Sequence, residues 1–210
     1  MKANISLVVT LLLFFGCSSI KNKNANSFTN NQISLIKSAD SHTPMRVFKI
    51  NKKSDSLLLR TKSTYIKANP KDEILQTFVQ RLFRTVTDSL SLGVGIAAPQ
   101  VGILKNIIWV QRFDKENFPF EVYLNPIIAN YSEQKQSYTE GCLSIPNRTD
   151  KLNSRAYRIL IEYDMMDGKH KAETVDGFTS VIFQHEIDHL NGILYIDHLQ
   201  KEVIDAKKKK

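Results

Sequence analysis

One segment near the C-terminus, GFTSVIFQHEIDHLNG (residues 177–192), restricts the fold more than any other. Phe178, Val181, Ile182, His185 and His189 recur at the three- and four-residue spacing of a single helical face, and Asn191-Gly192 supplies a C-terminal stop. On that helix His185 and His189 lie one turn apart and point the same way, so two imidazoles can bind one metal ion. Glu186 lies about 100° around the axis and can reach a water held there. Metal-assisted hydrolysis requires this arrangement. The plainer reading is a helix whose histidines are capped by neighbours.

Two histidines leave a hydrolytic metal one protein ligand short, because open catalytic sites take three plus a water. Neither a third histidine nor an acid stands at the spacing of the extended zinc-protease signatures, and Asp188 and His198 are read as surface or supporting groups. The stretch EGCLSIP (140–146) offers the missing donor in Cys142, which follows a glycine; its thiolate would bind a divalent ion strongly. Taken alone, a free cysteine is also a small buried apolar residue. A third stretch, GVGIAAPQVG (93–102), has small residues that leave room for a ligand's backbone. Its Gln100 brings an amide donor suited to a developing oxyanion, although alone it also reads as a tight turn. It lacks the Gly-Lys-Ser/Thr ending of a phosphate loop.

Elsewhere the pattern is architectural. In PKDEILQTFVQRLFRTVTDSL, Ile74, Leu75, Phe78, Val79, Leu82, Phe83 and Val86 form one helical face, with Pro70, Asp72 and Glu73 at its start. ILKNIIWVQRF, EVYLNPII and YRILIEYDMM read as strands, and Asp167-Gly168 turns the last of these into a partner over KHKAETVDG. MRVFKINKKSDSLLLR reads as a short strand followed by turn residues. Strands in the middle and helices at the edges predict an α+β domain.

The N-terminus is of a different kind. After Lys2 the apolar run ISLVVTLLLFF (Ile5–Phe15) is too short to span a bilayer and ends at Gly16-Cys17. It resembles a bacterial lipoprotein signal, which implies a lipid on Cys17, although Phe14 stands where that class usually has Leu; a cleaved soluble signal or a buried segment is the alternative. Residues 18–44, rich in Asn, Ser and Lys, are read as a flexible tether. The catalytic domain is expected over 45–200 and a solvated Lys-rich tail over 201–210. With Cys17 lipidated, Cys142 has no disulfide partner. The formal charge of +8 comes without arginine-aromatic interleaving, so no nucleic-acid partner is expected.

Together and in this order, GVGIAAPQVG, EGCLS and QHEIDH resemble the three signature motifs of the peptide deformylases, over about Met45 to Gln200. Ile96 replaces the family's usual Leu, a volume-conserving change. The resemblance implies antiparallel sheets around the histidine-bearing helix. It implies a metal held by Cys142, His185 and His189, typically Fe2+ with Zn2+ or Ni2+ also accommodated, with a water as fourth ligand. It implies hydrolysis of the formyl amide of N-formyl-methionyl peptides, releasing formate. Glu186 would be the base, and Gln100 with the Leu143 backbone N–H the oxyanion donors. The backbone at Gly95 would pair with an extended substrate. Val181 and Ile182, one turn before His185, would then line an apolar pocket for an unbranched side chain such as methionine, with core packing the alternative.

The enzyme is expected to be a monomer, touching a membrane only through its lipid and lying outside the cytoplasm. If translation starts at Met45 instead, it would be cytoplasmic. The rivals are a metallopeptidase, an exported deacylase, and a lipid-anchored protein of the same fold that binds metal or peptide without turnover.

Overall fold

The computed structural model describes residues 27–89 and 93–208. The expected signal, Cys17 and the first part of the expected tether lie outside the described residues.

The elements run α1 (Asn30–Ile36), α2 (Lys53–Leu59), α3 (Glu73–Thr87), β1 (Gly95–Ala97), a 3₁₀ turn (Ala98–Val101), β2 (Ile107–Gln111), β3 (Phe120–Tyr131), β4 (Lys135–Cys142), β5 (Ile145–Ala156), β6 (Arg158–Asp164), β7 (His170–Asp176), α4 (Gly177–Leu190) and α5 (Tyr195–Lys208). Five strands form an antiparallel sheet in the order β1-β2-β3-β6-β7, and β4 pairs with β5 in a separate hairpin. The α+β expectation holds.

Helix α4 is buried on almost every side, from Thr179 through Ile187 and again at His189 and Leu190. A helix so enclosed must satisfy its polar side chains internally. Gln184 does so on the backbone of Ala156, accepting from its N–H at 3.0 Å and donating to its carbonyl at 3.0 Å. Gln136 of β4 donates to the carbonyls of Ala156 and Gly177, each at 2.9 Å. These bonds lock α4 to the β4–β5 hairpin, whose turn begins at Cys142. At the far end Gly192 adopts φ +73°, and a Cβ there would lie 2.5 Å from the Arg60 carbonyl oxygen. The stop read at Asn191-Gly192 is therefore also a packing requirement.

Helix α3 follows its periodicity, with Asp72 as the N-cap accepting from the N–H groups of Ile74 and Leu75.

Three expectations need correction. Residues 46–49 pair with no strand, and the presumed turn beyond them is α2. Asp55 on that helix accepts from Arg46 Nη1 at 2.6 Å and from the Lys49 N–H at 3.1 Å, which folds the segment onto itself.

The tether does not reach residue 44. Thr29 caps α1 reciprocally with Gln32, Ile36 is fully buried, and Phe28 meets Phe78 edge-on at 5.7 Å. The buried Arg81 guanidinium donates to the carbonyls of Leu35, Ile36, Thr43 and Pro44 and to Ser38 Oγ. The folded unit thus takes in residues from Phe28 onward. The expected tail is likewise helical as far as Lys208.

Candidate metal centre

Cys142, at the end of β4, and His185 and His189, on α4, present their sulfur and ring nitrogens within 4.8 Å of one another. Cys142 Sγ lies 3.2 Å from His189 Nε2. His185 turns its Nδ1 to Glu140 Oε2 at 2.8 Å, which leaves Nε2 as its ligand atom. Glu140 is gripped in turn by Arg155, at 2.7 Å from Nε and 2.9 Å from Nη2. Glu140 and Arg155 received no role from the sequence. Glu140 stands two residues before Cys142 in the motif itself, a signal that could have marked it, whereas Arg155, paired in register with Gln136, comes to Glu140 only through the reach of its folded side chain.

Burial pushes the Cys142 thiol up, but the His189 and His185 imidazoles outweigh it and hold the group well below its ordinary value, as a thiolate. Burial likewise opposes ionisation of Glu140, yet His185 and Arg155 hold that carboxyl down at about 2. Glu186 is pushed the other way, up to about 7, by burial that the two imidazoles only partly offset. Its Oε2 is buried with no hydrogen-bond partner among the described residues. One thiolate and two imidazoles around a common point, with an unsatisfied carboxylate oxygen beside them, are the donor set of an open divalent-metal site. The residues fit the ion.

Gln100, buried in the 3₁₀ turn, is fixed by its Oε1, which accepts from the Ala97 N–H at 2.8 Å. Its Nε2 points at Ser144 Oγ (3.3 Å) and Cys142 Sγ (3.6 Å). A cavity of about 640 Å³ opens over these groups, and Gly95, Gln100, Cys142, Leu143, Val181, Ile182, His185 and Glu186 all line it. Val181 and Ile182 are only 2% and 4% exposed, so they pack in the core and face the cavity at once. Among the candidate site residues read from the sequence, Cys17 lies outside the described residues.

The polypeptide deformylase family matches residues 45–204. A peptide deformylase of Desulforudis audaxviator is 37% identical over 155 residues, covering 73% of this chain and 94% of that protein. One of Brucella suis is 37% identical over 132 residues, covering 62% and 73%. Among solved structures, the class I type b peptide deformylase of Acinetobacter baumannii with actinonin bound superposes with a TM-score of 0.65 at 30% identity, over 74% of this chain and 98% of that one. The same enzyme with Met-Ala-Ser bound gives 0.66 at 30% identity, over 75% and 99%. With the site's donors, base and cavity in the places described, the chain belongs to the polypeptide deformylase family, metal-dependent hydrolases that remove the formyl group from peptide N-termini.

Proposed function

We propose that this chain deformylates N-formyl-methionyl peptides at a single divalent ion, Fe2+ with Zn2+ or Ni2+ as substitutes, held by Cys142, His185 and His189. The observation that carries the reading is the convergence of these three donors, with Glu186, whose Oε2 is unpartnered, lining the same cavity as Cys142 and His185. When bound, the ion would polarise the formyl carbonyl and acidify water.

The chain's own groups divide the remaining work. Val181 and Ile182 receive the unbranched methionine side chain, and the Gly95 backbone aligns the peptide as an added strand. Glu186 takes the proton of the attacking water on Oε2 and returns it to the departing amine nitrogen. Gln100 Nε2 and the Leu143 N–H donate to the oxyanion as charge develops there. The products are formate and a peptide with a free N-terminus. The Met-Ala-Ser complex of the Acinetobacter enzyme supports a methionyl peptide as the ligand.

Formate release from formyl-Met-Ala-Ser by iron- and zinc-loaded protein tests this. Turnover is expected with both, and faster with iron. Metal uptake without formate would leave the non-catalytic binding reading, and cleavage at an internal bond would leave the peptidase.

For location we infer a lipid anchor on Cys17 outside the cytoplasm. Residues 28–44 support synthesis from upstream of Met45, because a chain starting there would lack Phe28 and Ile36 from its core. Mass spectrometry of the mature N-terminus tests it, with a lipid-modified Cys17 expected; a chain beginning at Met45 would mean a cytoplasmic enzyme.

A further inference from the structure

The bonds that hold His185 do not stop at Glu140. Arg155, doubly bonded to Glu140, also donates from Nη1 to Asp188 Oδ2 at 2.7 Å. The same oxygen lies 2.8 Å from His198 Nε2 on α5. A continuous chain therefore runs His198–Asp188–Arg155–Glu140–His185. Arg155 and Glu140 are buried, and the His198 side chain, 31% exposed, is the member open to solvent.

Helix α5 does not need this contact to dock. Its Glu202 accepts from the Asn153 N–H at 2.9 Å and its Asp197 pairs with Arg60. The two carboxylates compete for one guanidinium, since Arg155 stands between Glu140 and Asp188. A second donor on Asp188 Oδ2 lessens that oxygen's demand on Arg155 and leaves the guanidinium two-pronged on Glu140.

We propose that His198 is a positioning residue for the metal centre: by donating to Asp188 it keeps Arg155 on Glu140, and so keeps the His185 ring aimed at the ion. The proposal rests on the metal-centre reading above. Partners in direct contact with a metal-binding histidine are worth roughly 10- to 100-fold in metal affinity, and His198 acts three contacts further out. A smaller factor follows, about fivefold.

The test uses the full chain loaded with cobalt, challenged with excess chelator and followed by the decay of the cobalt–thiolate absorption. His198→Ala is expected to release cobalt about fivefold faster than wild type. His198→Gln, which keeps an N–H donor, should stay near wild type. Glu202→Ala, which loosens α5 elsewhere, should leave release unchanged. KM for formyl-Met-Ala-Ser should not move in any of the three.

Wild-type release from His198→Ala, or equally fast release from Glu202→Ala or His198→Gln, overturns the proposal. Should His198→Ala fail to fold, His198→Glu, which sets a like charge against Asp188, is compared with His198→Gln in its place: faster release from the Glu variant supports the proposal and equal release overturns it. A wild-type protein that takes up no cobalt would instead sink the metal-centre reading.

Discussion

Gly95 and Glu186 are in such close apposition that a Cβ on the glycine would stand 2.5 Å from Glu186 Oε1 and 2.8 Å from Ile182 Cγ2. The backbone of β1 therefore passes directly against the Glu186 carboxyl, and a side chain at 95 must displace it. Gly95→Ala is expected to keep its metal and lose activity by about 100-fold, the scale of a misplaced reacting group. Formate release together with metal analysis checks this; an alanine variant of wild-type activity would mean that Glu186 is not held by that contact.

Glu186 also gives the metal-free protein a pH signature. Burial raises its carboxyl from 4.5 to about 7, so the folded state binds this proton more tightly than the unfolded chain does. Stability is then present below about pH 4.5 and is lost as pH climbs to about 7. Glu186→Gln removes that loss. Under chelation the variant should match wild type closely at about pH 4 and exceed it by about 3 kcal/mol at about pH 8, read from denaturant titrations. With metal restored, the same variant should bind the ion and turn over roughly a hundredfold or more slowly. Equal pH dependence in both proteins would remove the buried-carboxylate argument.

Cys142 is the proposed third donor beside the two histidines. Cys142→Ala should purify with little metal and show no cobalt–thiolate absorption, while far-UV circular dichroism stays unchanged, because the sulfur sits at the hairpin's end and not at the centre of a core cluster. Full metal occupancy in this variant would disprove the ligand set.

The segment ahead of Met45 carries its own test. A chain without residues 1–26 keeps every described residue and serves as the reference. Deleting residues 1–44 removes Phe28 and Ile36 from the core and strips Arg81 of its acceptors. Burial of two such side chains alone is worth about 3–6 kcal/mol, so the midpoint in urea should fall sharply. Equal midpoints for the two truncations would restore the longer tether.

Local pattern settled a good deal of this protein. The face of α3, the strands β2, β3, β6 and β7, and the end of α4 depend on periodicity, β-branched residues and turn chemistry within a few residues, and the chain order carries these directly. The types of the donors, one thiol and two imidazoles, are equally readable, since only a few side chains bind such an ion.

Tertiary structure alone decided which acid supports His185. The guanidinium of Arg155 on β5 reaches Glu140 on β4 from a position paired with Gln136, across 15 residues of chain, and no local pattern encodes a contact of that kind. It also decided that residues 30–36 form a helix: Phe28 and Ile36 are too sparse to show a period, and only the waiting surface of α3 and the guanidinium of Arg81 make ordering a polar segment favourable. Helix α2 is of the same kind, since Asp55 gains its partners from residues 46 and 49 only once the chain has turned back on itself. Contacts between distant residues are set by the whole packed chain, and an isolated stretch of sequence does not contain them.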